Sequence, residues 1–282
     1  MSGGKCAKTM RVDELLVQRG LFDTVDEARR ACFAGEVSSP DAAIVSPSQK
    51  IPAQAALNVK RRSKFVSRGG DKLDGALADF AFDPAGMNCV DVGASTGGFT
   101  DCLLQHGAAR VAAVDVAHSQ LAWSLRNDSR VAVFDRTNVK DVSAAQLGGP
   151  FDLLVADLSF ISLAQVLPIF YTILKASGYS LIMVKPQFEI GKNLVRNGGV
   201  VREASSHIKV LEDMLVALGD SGFEALGMSV SKVPGKKKGN MEFFILAGIA
   251  GQEDARPACY AAADARIDVE RVVMQAHEGR EV

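Results

Sequence analysis

At 282 residues, with 48% hydrophobic and 23% charged residues and a formal net charge of −1, the chain has room for an α/β domain of ordinary size and a smaller second one. No apolar run approaches the roughly 18 residues of a membrane span, and MSGGKCAKTM lacks the apolar core of a secretory signal. Five cysteines without a C-x-x-C pair and four scattered histidines point to neither a disulfide framework nor a metal site, so a cytoplasmic monomer working without metal or membrane is expected.

Residues 1–10 read as a disordered leader of small and basic residues. In RVDELLVQRG, Val12, Leu15 and Leu16 space out as a short amphipathic helix ended by Gly20. Thr24 to Glu27 forms a capping box for a second helix, VDEARRACFAG, stopped by Gly35, with Ala28, Ala31 and Cys32 inward and Arg29 and Arg30 outward. EVSS, AAIVS and AALNVK follow as short β-like pieces between Pro40, Pro47 and Pro52, which makes residues 11–60 a small α+β unit. With R-V-D-E-L-L at the first helix and D-E-A-R-R-A…A-G-E-V at the second, this unit resembles the RNA-binding module of small-subunit ribosomal protein S-four. The resemblance implies that Arg11, Arg29 and Arg30 meet RNA phosphates. On composition alone, Arg29 and Arg30 read equally as solvating a helix face. The hairpin departs from the pattern, carrying SSPDAAI with an aspartate where such modules have V-N-G and basic residues.

KRRSKFVSRGGDK packs Lys60, Arg61, Arg62, Lys64 and Arg68 around Phe65 ahead of Lys72. It reads as an interdomain linker over residues 61–71, either a basic patch for RNA or a plain solvated connection. DKLDGALADFAF then opens a domain over residues 72–250, with Leu73, Ala76, Leu77 and Phe80 on one helix face and Lys72 at the helix start. Strands are expected at 88–92, 110–115, 131–135, 152–156, 179–184, 225–233 and 241–249. Helices are expected from Gly98, from Ser119, near 143–147, over 162–175 and over 204–219. The last two strands are joined only by PGKKKGN, too short for a helical crossover, so the sheet is mostly parallel with its last strand antiparallel, a Rossmann-like methyltransferase architecture. Residues 251–282 form a tail with one helix-like stretch, Asp268 to His277.

CVDVGASTGGFT is a buried strand running into a glycine-rich turn and a helix, as suits a nucleotide-like cofactor. It is not the G-x-G-x-x-G dinucleotide fingerprint, because no glycine stands two residues after Gly93, and a nicotinamide-dependent oxidoreductase is disfavoured on that ground. Lys72, Asp157, Lys185 and Glu242 stand at the ends of elements, Asp157 and Lys185 on the carboxyl side of strands where open α/β sheets bind ligands. Taken singly, Asp157 reads equally as a helix N-cap and Glu242 as a surface partner of Lys238.

Together, VSRGGDKL, DVGASTGGFT, DLSFISL, VKPQFE and K-G-N-M-E-F-F closely resemble the TlyA family, S-adenosylmethionine-dependent ribosomal RNA 2′-O-methyltransferases of the FtsJ type sometimes labelled haemolysins. The resemblance runs from about Arg11 to Gly248. It implies ribosomal RNA within ribosomal subunits as partner and Lys72, Asp157, Lys185 and Glu242 as the catalytic tetrad. It further implies S-adenosylmethionine with its methionine part over Gly93, Ala94, Ser95, Thr96, Gly97 and Gly98, its ribose on Asp115 and its adenine near Asp135 and Arg136. Asp91 supports the loop or the cofactor ammonium. A ribose hydroxyl must lose its proton as it attacks a sulfonium methyl, and a lysine serves as base only when burial and a neighbouring ammonium favour its neutral form. An RNA-binding protein without this activity and a membrane-lytic protein are the alternatives; the second needs an amphipathic or spanning segment that the sequence does not show.

Overall fold

The computed structural model describes residues 8–22, 24–59, 64–190, 199–235, 240–251 and 267–278. The chain divides into two compact units, residues 1–63 and residues 64–282.

In the first unit, β1 (Thr9–Arg11) pairs antiparallel with β3 (Lys50–Pro52), and β2 (Val37–Ser38) with β4 (Asn58–Val59). Helices α1 (Val12–Gln18) and α2 (Val25–Phe33) close over them, and Val12, Leu15, Leu16, Ala28, Ala31 and Ile51 form a buried core. The expected leader therefore ends earlier, since Thr9 and Met10 already belong to a strand. AAIVS is a loop instead of a strand, because the Gln49 side chain takes up its backbone groups, accepting from Val45 N and donating to Ala43 O. Half of the capping box forms: the Thr24 hydroxyl accepts from Glu27 N at 3.3 Å.

The second unit begins at Lys64, inside the expected linker, and α3 (Arg68–Asp79) starts a full turn before Lys72. Its sheet contains β5 (Asn88–Val92), β6 (Arg110–Val114), β7 (Val131–Phe134), β8 (Phe151–Ala156), β9 (Leu174–Val184), β10 (Phe223–Val230) and β11 (Phe243–Ile249), in the order β10-β11-β9-β8-β5-β6-β7. β11 alone runs against the direction of the other six strands, as expected for the last strand. Successive residues of the central strands face opposite sides. Leu153 and Val155 join the core under α3 and α4 (Gly98–Gln105), while Leu154 and Ala156 join the core under α7 (Leu167–Ile173) and α9 (Ala204–Asp220). Burial on both faces explains why these strands read as continuous apolar runs.

Three local expectations change. No helix starts at Ser119, which takes a left-handed φ of 55° and donates its amide to Asp135; α5 covers only Trp123–Arg126. The helix expected over 162–175 is a 3-10 turn, Leu163–Gln165, followed by α7, because Pro168 has no amide to donate and fits only at a helix start. The tail contributes α10 (Val269–Glu278), whose Val269, Val273 and Ala276 are buried in the core beside α9; between α5 and α7 lies the short α6 (Ala144–Leu147), and α8 is Pro186–Glu189.

Candidate active site

Strand order decides where the site lies. The chain builds outward from β5 through β6 to β7, then returns to the other side of β5 with β8 and β9. At such a reversal the loops leaving the carboxyl ends diverge and leave a crevice. The loops after β5 and β8 meet there: a Cβ on Gly93, at φ 88°, would lie 2.9 Å from the Asp157 carbonyl oxygen. Gly97 has φ 94° and caps α4, and a Cβ there would overlap the side chains of Leu125 and Leu121. Neither position tolerates a side chain without strain.

A cavity of about 430 Å³ opens over this loop, lined by Asp91, Gly93, Ala94, Ser95, Thr96 and Gly98 and, from the other side, by Ser67, Arg68, Gly69, Lys72, Phe99 and Asp157. Asp91 is fully buried. Its Oδ2 accepts from Thr100 N at 2.9 Å and from the Thr100 hydroxyl at 2.7 Å, while Oδ1 has no hydrogen-bond partner. Burial pushes its carboxyl up to about 7, helped by the carboxylates of Asp157 and Asp115 and opposed by the Thr100 bonds. A cationic group in the cavity would relieve that strain. Ser67 is the N-cap of α3 and its hydroxyl makes no capping bond, and the start of that helix, Ser67 to Gly69, lines the cavity with its positive dipole end. Glycine backbone, a buried carboxylate and a helix N-terminus together fit an amino-acid moiety carrying both charges.

A second cavity, of about 550 Å³, shares Lys72, Gly93, Ser95 and Asp157 with the first and adds Ser159, Phe160, Lys185, Gln187, Phe188 and Glu242. Two lysine–carboxylate pairs stand in its wall. Lys72 Nζ lies 2.5 Å from Glu242 Oε2, and Lys185 Nζ lies 2.5 Å from Asp157 Oδ1 and 3.0 Å from Ser159 Oγ. Both lysines are buried, and buried ammonium groups are found only where partnered. Glu242 reaches this edge because β11 runs antiparallel: its first residue, Phe243, pairs with Val184 at the end of β9, which sets Glu242 beside Lys185 in the sheet. Phe160 is 91% exposed at φ 67°, a strained backbone for an aromatic residue, and its ring lies 5.1 Å from that of Phe188. Glu189 holds the loop from behind, accepting from the Ser162 hydroxyl at 2.7 Å and from Leu163 N at 2.9 Å, and burial raises its pKa.

The structure thus brings all four expected catalytic residues into one cavity wall, and Asp91, Gly93, Ala94, Ser95, Thr96 and Gly98 into the adjoining one. Gly97, Asp115, Asp135 and Arg136 line neither. Asp115 ties loops together, accepting from Ser95 N and Ala117 N, each at 2.7 Å. Asp135 is engaged by Arg126 at 2.5 Å and by Ser119 N, and Arg136 is exposed. Of the residues expected on RNA, Arg68 lines the first cavity and donates to the Pro234 carbonyl, and Lys64 lies 2.9 Å from Asp74. Arg11 and Arg29 both hold the buried Asp13, at 2.6 and 3.0 Å, and Arg30 is exposed. Lys60, Arg61 and Arg62 lie outside the described residues. Asp74, Cys102 and His106 present ligand-type atoms within 4.8 Å of one another, but the Lys64 ammonium already occupies the Asp74 carboxylate and Cys102 is a buried thiol with its pKa pushed up. Ser67, Ser159, Phe160, Gln187 and Phe188 were not singled out from the sequence. Their signal was adjacency: each lies within VSRGGDKL, DLSF or VKPQFE, beside a residue that was.

Residues 65–249 match the family described as FtsJ-like methyltransferase. The chain is 44% identical over 241 residues to the 16S/23S rRNA (cytidine-2′-O)-methyltransferase TlyA of Mycobacterium tuberculosis, covering 85% of this chain and 90% of that one. It is 36% identical over 235 residues to Hemolysin A of Brachyspira hyodysenteriae, covering 83% of this chain and 98% of that one. A solved structure described as a hemolysin from Streptococcus thermophilus superposes with a TM-score of 0.70 at 36% identity, over 98% of each chain. Among the described residues no helix is long and apolar enough to cross a membrane. The fold, the paired lysines at its switch point and these relatives agree, and the chain belongs to the TlyA group of the FtsJ-like methyltransferase family.

Proposed function

We propose that this protein transfers a methyl group from S-adenosylmethionine to the 2′-hydroxyl of a cytidine in ribosomal RNA, acting on ribosomal subunits in the cytoplasm. The observation that carries the reading is the pair of buried lysine–carboxylate contacts at the seam of two adjoining cavities. When bound, the cofactor supplies an electrophilic methyl on a sulfonium. Asp91 would take its ammonium, and Ser67 at the start of α3 would take its carboxylate.

The acceptor ribose enters the second cavity, where Lys185 in its neutral form receives the hydroxyl proton as the oxygen attacks. Lys72, held on Glu242, places a fixed positive charge near the developing charge on oxygen, and Asp157 orients Lys185. Phe160 and Phe188 offer an exposed aromatic face on which a base drawn out of its stack can rest. The first unit, with Arg30 and its S-four-like helices, docks the RNA without touching the chemistry.

The test is incubation of unmodified ribosomal subunits with the purified chain and methyl-labelled S-adenosylmethionine, followed by mapping of ribose methylation. Label at a cytidine 2′-oxygen, lost in Lys185→Ala, supports the reading. Cofactor binding without any label in RNA overturns it.

A further inference from the structure

One face of α3 meets the connection between β10 and β11 along the whole helix. Arg68, Lys72, Gly75 and Asp79 follow one another at helical spacing, which sets them in a single line. At the two ends of that line Arg68 donates to the Pro234 carbonyl and Asp79 holds the Lys232 ammonium; between them, a Cβ on Gly75 would lie 4.0 Å from the Lys232 side chain. In the middle, Lys72 meets Glu242. Ser231 N donates to the Glu242 carbonyl at 2.8 Å, so residues 231–235 are fastened to the sheet as well as to the helix.

This clamp sets Gly235 against Glu242. Gly235 is buried and lines the second cavity, and a Cβ on it would lie 2.8 Å from Glu242 Oε1 and 3.2 Å from Glu242 Cδ. The next neighbour, Asn240 Cβ, would stand at an ordinary 3.7 Å. Gly235 lacks the left-handed φ of Gly93 and Gly97, so this glycine spares space and not backbone strain. A glutamate swings its carboxylate through three rotatable bonds, and a single hydrogen bond to Lys72 does not choose among their rotamers. Backbone packed beside Oε1 leaves Oε2 directed at Lys72 Nζ. We propose that Gly235 is a positioning residue: pinned by α3, it confines the Glu242 carboxylate to the orientation that holds Lys72, and so fixes that ammonium where charge develops on the acceptor oxygen. The inference rests on the reading of Lys72 as the stabiliser of methyl transfer. One helix thus supplies both the ammonium and the clamp that aims its partner.

The experiment is a double-variant cycle on the full-length protein: Gly235→Ala, Glu242→Asp and the two combined. Each is read by single-turnover methylation of ribosomal subunits at saturating cofactor and RNA, by cofactor and RNA affinity, and by thermal melting. The alanine methyl displaces only the flexible end of Glu242, so Gly235→Ala should melt cooperatively and bind both ligands as the wild type does. Its turnover should fall roughly tenfold to a hundredfold, the cost of a small misplacement in the site. Glu242→Asp should also be slow, because the shorter side chain draws the carboxylate back from Lys72. Combined, the added methyl takes space that the lost methylene leaves, and the double variant should turn over faster than Gly235→Ala. Wild-type turnover in Gly235→Ala overturns the proposal, as does a loss confined to RNA affinity or a double variant no faster than Gly235→Ala. If Gly235→Ala loses its cooperative melt, recovery of melt and turnover in the double variant supports the proposal and their absence overturns it. The two readings fail separately: no label in RNA from the wild-type protein removes methyl transfer itself, whereas labelled RNA beside an unaltered Gly235→Ala removes only the role of Gly235.

Discussion

Lys72 and Glu242 meet at 2.5 Å with side-chain exposures of 9% and 5%, and they stand 170 positions apart in the chain. Removing one partner of such a pair strands a charge in a poorly solvated wall, whereas removing both leaves none. Lys72→Met alone should destabilise the protein by about 3–5 kcal/mol, and Lys72→Met with Glu242→Met should recover most of that while remaining inactive. Chemical denaturation and the methylation assay, read side by side, check this.

Asp91 is expected to oppose stability while serving binding. Its carboxyl rises from 3.8 to about 7 in the folded protein, so between these values the native state holds a proton that the unfolded chain has released. Stability from this group is therefore present at low pH and lost as pH rises toward 7. Asp91→Asn should raise stability above neutral pH by on the order of 2–4 kcal/mol, since the amide oxygen can still accept from Thr100. The same substitution should weaken S-adenosylmethionine binding and abolish the rise of wild-type affinity as pH approaches 7 from below. Thermal unfolding and calorimetric titration at several pH values read the two effects.

Lys185→Arg keeps a cation beside Asp157 but removes the proton acceptor, because a guanidinium does not deprotonate in this range. Turnover should drop by at least about a hundredfold, with cofactor and RNA affinities near wild type. Single-turnover kinetics distinguish this from a binding defect.

The arginines of α2 should separate by role. Arg29 holds the buried Asp13, whose carboxyl is kept down at about 2 chiefly by the Arg11 hydrogen bond and also by Arg29. Arg29→Ala should destabilise the first unit by about 1 kcal/mol. Arg30→Ala should leave stability unchanged, weaken binding to ribosomal subunits and reduce the slope of log affinity against log salt by about one. Filter binding over a salt series, with a melting curve for each variant, measures both.

Much of the fold was legible in the sequence because it depends on local periodicity. Apolar runs of strand length, the helices between them and the short PGKKKGN connection are enough to imply a mostly parallel sheet with its last strand reversed. Where local rules conflicted, the reading slipped: Pro168 divided an expected helix, and Ser119, held by Asp135, prevented another. The glycine loop and the order of the four charged residues could also be read, since Gly93 and Gly97 answer backbone demands that no other residue meets without strain.

What tertiary structure alone decided is which side chains share a wall. The register of β11 against β9 sets Glu242 beside Lys185, and α3 brings Lys72 to Glu242 and carries the exposed Arg68 to the first cavity. Asp13 takes up Arg11 and Arg29, and Ser159 finds Lys185 from a neighbouring strand. Periodicity reports which face of an element is buried, but it carries no information on which distant element covers that face. Pairings across the sheet therefore follow from strand order and register, which long-range packing sets.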